Sequence, residues 1–223
     1  MYSSEVKRNI DLVQKKVAIA AQGRPVTIVA ATKTVTPELI AVAVESGIKD
    51  VGENRVQEYI AKRDAVSGAR WHFIGTLQTN KAKYLVGNVA LIQSVNSVEL
   101  ASEISRLAVK RGIVQDVLIE VNVGGEQSKT GAAVDSAEAL TECVRGLGGI
   151  NVRGLMAVPP RNAGDDVYRK LRDLYETLAR GNNGFDTLSV GMSGDYERAV
   201  YFGSNMVRIG SALFGERANK VGV

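Results

Sequence analysis

Val26-Thr27-Ile28-Val29-Ala30-Ala31-Thr32-Lys33-Thr34-Val35-Thr36-Pro37-Glu38 passes from one kind of chain to another. The β-branched run Val26–Ala31 predicts a buried strand. Thr36-Pro37-Glu38 predicts a helix start, with a capping hydroxyl and a first position that needs no N–H. Lys33 stands between them, at the carboxyl end of a strand, where parallel α/β folds build their sites. A primary amine there can attack a carbonyl. From position alone, the same lysine also reads as a surface residue whose stem packs on a barrel rim.

The strand-then-helix pattern recurs to the end of the chain. An opening helix carries Val6, Ile10, Val13 and Val17 on one face. Eight strands are predicted: Val26–Ala31, Asp50–Gly52, Trp71–Gly75, Leu91–Ser94, Val117–Val123, Val152–Ala157, Thr187–Val190 and Met206–Ile209. Helices fall between them: one from Pro37 to Gly47, one after Asn54, and one opened by Ser97 with Leu100, Ile104 and Leu107 inward. Another carries Val167, Leu171, Leu174 and Leu178 before Gly181. Repeated strand–helix units imply parallel strands with right-handed crossovers. Eight units in about this length imply an α/β fold, a single (β/α)8 TIM barrel over residues 1–223 with an extra N-terminal helix. An open doubly wound sheet is the alternative, but no Gly-x-Gly-x-x-Gly turn follows the first strand.

Composition narrows the function classes. Apolar residues make up 45% and charged residues 23%, as in a soluble globular protein. The net charge of +4 mildly favours anionic ligands. Basic pairs such as Lys15-Lys16, Lys62-Arg63 and Lys110-Arg111 are scattered among acids, so solvated helix faces are expected and no nucleic-acid footprint. One cysteine, Cys143, excludes an internal disulfide, fits a reducing compartment, and is expected to pack as a small apolar residue. No signal peptide or membrane span is visible, so a cytoplasmic protein is expected. No apolar stripe marks an interface, and a monomer is expected. His72 is the sole histidine. It cannot build a zinc set with one distant cysteine, and a core or lumen imidazole is expected.

In a barrel the informative residues follow each strand. Here these are Lys33, Gly52-Glu53-Asn54, the Leu77–Lys81 segment, the long polar loop Gly124–Gly131, Gly191-Met192-Ser193-Gly194-Asp195, and Arg208-Ile209-Gly210-Ser211. Barrels frequently bind phosphate between the loops after strands seven and eight. Both loops offer glycines and a hydroxyl, Ser193 and Ser211, although each alone also reads as a glycine turn with a capping serine. Arg208 is the one charge in an apolar run, and a guanidinium aimed into a barrel needs acceptors. An amine plus a phosphate cradle suits pyridoxal 5′-phosphate, with Lys33 forming a Schiff base and Arg208 facing the pyridine nitrogen. It equally suits a sugar phosphate held by a Schiff-base aldolase.

The segments VAATKT, GENRVQE, WHFIGTLQTNK, VNVGGEQSKTG, RGLMAV, LSVGMSGDYERAV and MVRIGSALFG, in this order across nearly the whole chain, resemble the pyridoxal phosphate homeostasis (YggS/PROSC) family. That family is similar to the N-terminal barrel of alanine racemase. The resemblance implies pyridoxal 5′-phosphate linked to Lys33, its phosphate held by Ser193, Gly210 and Ser211 with Met192 beside it. It further implies Arg208 opposite the ring nitrogen and Asn54 in contact with the ligand. Thr32 stands where serine is usual and Thr76 where proline is usual.

The same residues argue for carriage over turnover. A fixed cation at the ring nitrogen disfavours protonating it and leaves a poorer electron sink. A racemase also needs a second acid/base on the opposite face of its substrate, which in alanine racemase is a tyrosine from a β-domain of the partner subunit, a domain not expected here. Tyr196 and Tyr201 are expected to be packing or surface residues. The expected function is to hold the cofactor and maintain its intracellular level, with PLP-requiring apoenzymes as possible recipients and a PLP-dependent amino-acid racemase as the alternative. Lys81 and Lys129 could form a receiving rim for phosphate, although solvated lysines are the simpler reading.

Overall fold

The computed structural model describes residues 2–125, 130–182 and 184–215. Its eight barrel strands are β1 (Thr27–Ala31), β2 (Asp50–Glu53), β3 (Arg70–Phe73), β4 (Leu91–Val95), β5 (Gln115–Asn122), β6 (Ile150–Ala157), β7 (Thr187–Val190) and β8 (Met206–Ile209). All neighbours are parallel. Pairing of β1 with β8 (Val29 opposite Arg208) and of β4 with β5 (Ile92 opposite Val117) closes the ring. Ala132–Ala133 adds a two-residue pairing on the end of β5, where the polar loop returns.

Each predicted strand is present, displaced by at most two residues at an end. The helices are α1 (Tyr2–Ala21), α2 (Pro37–Glu45), α3 (Val56–Lys62), α4 (Val98–Lys110), α5 (Val134–Arg145), α6 (Asp165–Ala179), α7 (Tyr196–Tyr201) and α8 (Ser211–Phe214). Ser97 caps α4 as expected, its Oγ accepting from the Leu100 amide at 3.2 Å. Thr36 does not cap α2: it occupies the N-cap position ahead of Pro37 without a capping hydrogen bond, and its hydroxyl is engaged by Glu38 instead.

The apolar faces of the helices pack on the outward strand residues in one continuous core. A separate cluster of Val29, Leu91, Leu118, Met156 and Met206 fills the lumen. That division fixes strand parity, since successive side chains alternate between lumen and helix layer. α1 packs across α2, α7 and α8 and so covers the seam between the first and last units. Its Val6, Ile10, Val13 and Val17 are buried as the spacing predicted. Cys143 corrects the sequence reading. It is exposed, because the buried stripe of α5 runs through Ala137, Leu140, Thr141 and Val144 and leaves position 143 turned outward.

Candidate functional site at the carboxyl ends of the strands

The ring order β2-β1-β8-β7 brings four of the predicted loops side by side. Lys33 follows β1, Asn54 follows β2, Met192 and Ser193 follow β7, and Arg208 lies in β8 with Gly210 and Ser211 just beyond it. Val29 lines the lumen, the two-residue period keeps Ala31 on that face, and Lys33 follows in the turn that ends the strand. Lys33 is half-buried, and among the described residues its amine has no hydrogen-bond or ion-pair partner.

Ser193 organises the opposite side. Its Oγ accepts from the backbone N–H of Gly210 at 3.2 Å and of Ala212 at 3.1 Å, so two amide donors converge on one oxygen. The loop that delivers Ser193 is tightly specified. Gly191 has φ of 106°, and a Cβ there would lie 2.7 Å from Ala199 Cβ. Asp195 then caps the loop, accepting from the Met192 amide at 2.7 Å and the Tyr168 hydroxyl at 2.8 Å. Burial and the adjacent Asp195 push the Tyr168 hydroxyl up. Met192 is 40% exposed, an apolar side chain standing free at the mouth. Ser211 is exposed, and Gly210 and Asn54 are half-buried. Tyr196 is buried and Tyr201 exposed, as expected of packing and surface residues.

Arg208 is 4% exposed and finds the acceptors its position demanded. Nη1 donates to Ser189 O at 2.7 Å and Ser189 Oγ at 2.6 Å, and Nη2 to Ala157 O at 2.9 Å. None of these is a carboxylate. Burial lowers the guanidinium to about 10, with Asp195 and Glu120 pulling the other way. The hydrogen-bonded line runs down the lumen: Ser189 Oγ to Gln93 Oε1 (2.7 Å), Gln93 Nε2 to His72 Nδ1 (3.0 Å), and His72 Nε2 to Asp50 Oδ1 (2.8 Å). With Nδ1 accepting from the Gln93 amide, Nε2 is the nitrogen that donates to Asp50. His72 is thus a satisfied lumen residue. Burial pushes Asp50 up, but its bonds to His72 and Arg70 outweigh that and hold it below its ordinary value.

Two groups escaped the sequence reading. Glu120 is a lone carboxylate in the apolar run of β5, which was its available signal. It is buried, accepts from Thr130 Oγ1 at 2.6 Å, and among the described residues leaves Oε2 without a partner. Burial raises its carboxyl, against the Thr130 hydroxyl and the Arg208 charge. Lys62 read as half of a solvated basic pair, yet it is buried with Glu53 under the β1 turn. Lys81 lies in the 3-10 turn Thr79–Tyr84 with its ammonium 5.8 Å from the Tyr84 ring centroid, and Lys129 lies outside the described residues.

A cavity of about 380 Å³ opens at the other end of the barrel, among Arg70, His72, Asp116, Arg153 and Asp186. Its arginines are already paired, Arg70 with Asp50 and Arg153 with Asp116 and Asp186. That end of a barrel serves stability, so the ligand site belongs at the mouth. Among the described residues no group of three His, Cys, Asp or Glu side chains is placed to hold a metal, and no helix is long and apolar enough to cross a membrane.

The family described as alanine racemase, N-terminal domain, matches residues 3–218. A protein of Aquifex aeolicus named pyridoxal phosphate homeostasis protein is 46% identical over 220 residues, which is 95% of this chain and 96% of that one. PipY of Synechococcus elongatus, in a structure with PLP bound, superposes with a TM-score of 0.83 at 27% identity, covering 94% of this chain and 100% of that one. Alanine racemase of Clostridium difficile shares the fold at a TM-score of 0.75 and 15% identity, matching 96% of this chain and 61% of its own.

Proposed function

The chain belongs to the pyridoxal phosphate homeostasis protein family, and on that premise we propose that it binds pyridoxal 5′-phosphate through Lys33 and maintains the cofactor's free level in the cytoplasm. The observation that carries this reading is the pairing of an unpartnered amine at the end of β1 with two convergent amide donors at Ser193, on neighbouring strands of one mouth. The residues present fit the ligand. It supplies an aldehyde that condenses reversibly with a primary amine, and a phosphate that accepts from backbone N–H groups.

Each residue then has a task. Lys33 forms the Schiff base. Ser193, Gly210 and Ser211 would hold the phosphate, with Met192 beside it and Asn54 in contact with the ligand. Arg208 would lie opposite the ring nitrogen, where a fixed cation disfavours its protonation. Three oxygens on Arg208 hold the guanidinium in place, so it remains a fixed cation. A ring so held is a weak electron sink, which favours keeping and releasing the aldehyde over turning over amino acids. PLP-requiring apoenzymes are the recipients this implies. The other reading, an amino-acid racemase, draws on the shared racemase fold and predicts fast α-proton exchange of an L-amino acid in deuterated water. The carrier reading predicts exchange no faster than with free cofactor. Replacing Lys33 with alanine tests the attachment: the variant should lose its yellow colour on exhaustive dialysis, and equal retention by wild type and variant would overturn the proposal.

A further inference from the structure

Thr34, immediately after Lys33, has φ of 63°. A β-branched residue in the left-handed region is strained and persists only where its surroundings hold it. Thr32 O accepts from Val35 N at 2.9 Å, so Thr32–Val35 is a tight turn with Lys33 second and Thr34 third. Glycine or asparagine ordinarily takes a third position of this kind.

One cluster, buried at Lys62 and Glu53 and half-buried at Glu58, grips the turn on both sides of Lys33. Lys62 Nζ donates to Thr32 O at 2.9 Å, to Glu53 Oε1 at 2.7 Å and to Glu58 Oε2 at 3.1 Å. Thr32 Oγ1 lies 2.7 Å from Glu53 Oε1, and the Thr34 amide donates to Glu58 Oε2 at 2.8 Å. The peptide groups flanking Lys33 are therefore pinned, while its own amine has no partner among the described residues.

We propose that Glu58, Lys62 and Glu53 are positioning residues for Lys33, holding the strained turn so that the amine stays aimed into the mouth. This rests on Lys33 being the amine that takes the cofactor. The cluster touches no ligand and acts through the backbone. If it were only a stabilising ion pair, its loss would lower the unfolding temperature without changing how fast Lys33 reacts.

The experiment compares wild type, Glu58→Ala, Glu58→Gln, Thr34→Asn and the Thr34→Asn/Glu58→Ala double variant. Two rates are read by peptide mass mapping: pyridoxal phosphate capture at Lys33, trapped by borohydride reduction, and methylation of Lys33 by formaldehyde with cyanoborohydride as the reductant, without the cofactor. Glu58→Ala should slow both about tenfold, equivalent to about 1.4 kcal/mol, with labelling of Lys81 unchanged. Glu58→Gln should retain most of the rate, because its amide oxygen still accepts from Thr34. Asparagine tolerates the left-handed conformation, so in the Thr34→Asn background Glu58→Ala should cost less than about twofold. If Glu58→Ala fails to fold, Glu58→Asp draws the oxygen back by one methylene and should slow the rates likewise. Wild-type rates in Glu58→Ala or Glu58→Asp, or an undiminished effect in the Thr34→Asn background, would overturn the positioning role while leaving the Lys33 attachment intact. A wild-type protein that captures no cofactor at Lys33 would remove both.

Discussion

Arg208 and Lys62 are both buried cations, and replacing each with methionine should give opposite lessons. Burial holds the Arg208 guanidinium at about 10, well below its ordinary value. Both values lie above neutrality, so the group is charged folded and unfolded. The fold carries the whole cost of that charge at neutral pH, about 3 kcal/mol, and is relieved of it only as the pH rises through the folded value. Arg208→Met removes this cost. It also strips a donor from Ser189 O and Ala157 O, at about 1–3 kcal/mol each. Glu120, which burial already pushes up, loses the Arg208 charge that opposes that shift, so its carboxyl rises further when Arg208 goes. The net loss should be no more than about 3 kcal/mol. Lys62→Met instead strands Glu53, whose side chain is fully buried 2.7 Å from Nζ, and breaking such a pair costs about 3–5 kcal/mol. Urea unfolding at neutral pH should therefore rank Lys62→Met as the more destabilised, with Arg208→Met folded but impaired in cofactor binding. An Arg208→Met protein as unstable as Lys62→Met would refute the view that this arginine is kept for its ligand.

Ser193→Ala should bind pyridoxal phosphate about five- to tenfold more weakly by titration, the value of about one hydrogen bond, and should also lower the unfolding temperature, because the Gly210 and Ala212 amides lose their acceptor. Gly75→Ala would set a Cβ 2.2 Å from the Asn54 carbonyl oxygen; forcing the β2 and β3 ends apart should lower stability by about 1–3 kcal/mol and weaken cofactor binding, both measurable on one preparation. Asp50, held below its ordinary 3.8, contributes stability that is present above that value and lost as the pH falls through the folded one. Asp50→Asn should accordingly be less stable than wild type at neutral pH, and the two unfolding curves should converge under acid.

The barrel was legible because its strands are short apolar runs punctuated by glycine, proline and capping residues, so position relative to a strand end located Lys33, Ser193 and Arg208. Boundaries slipped where tertiary contact decides them. Gly75 reads as strand, but it lies against the Asn54 carbonyl after β3 has ended at Phe73. Cys143 misled because one step along a helix turns a residue by about 100°, enough to leave the buried stripe. Lys62 could not be read as buried from its neighbours, since the Thr32 carbonyl and the Glu53 carboxylate that receive it come from β1 and β2. The i,i+4 spacing of Glu58 and Lys62 was the local trace of that cluster. The lumen line from Asp50 to Arg208 spans five strands, and no sequence window contains it.

Borohydride reduction of the cofactor-loaded protein, followed by mass mapping of its peptides, tests the covalent attachment most directly. A pyridoxyl group should appear on the peptide containing Lys33 and on no other. Its appearance on Lys81 or Lys129 with Lys33 unmodified, or a yellow protein that yields no adduct at all, would contradict the account.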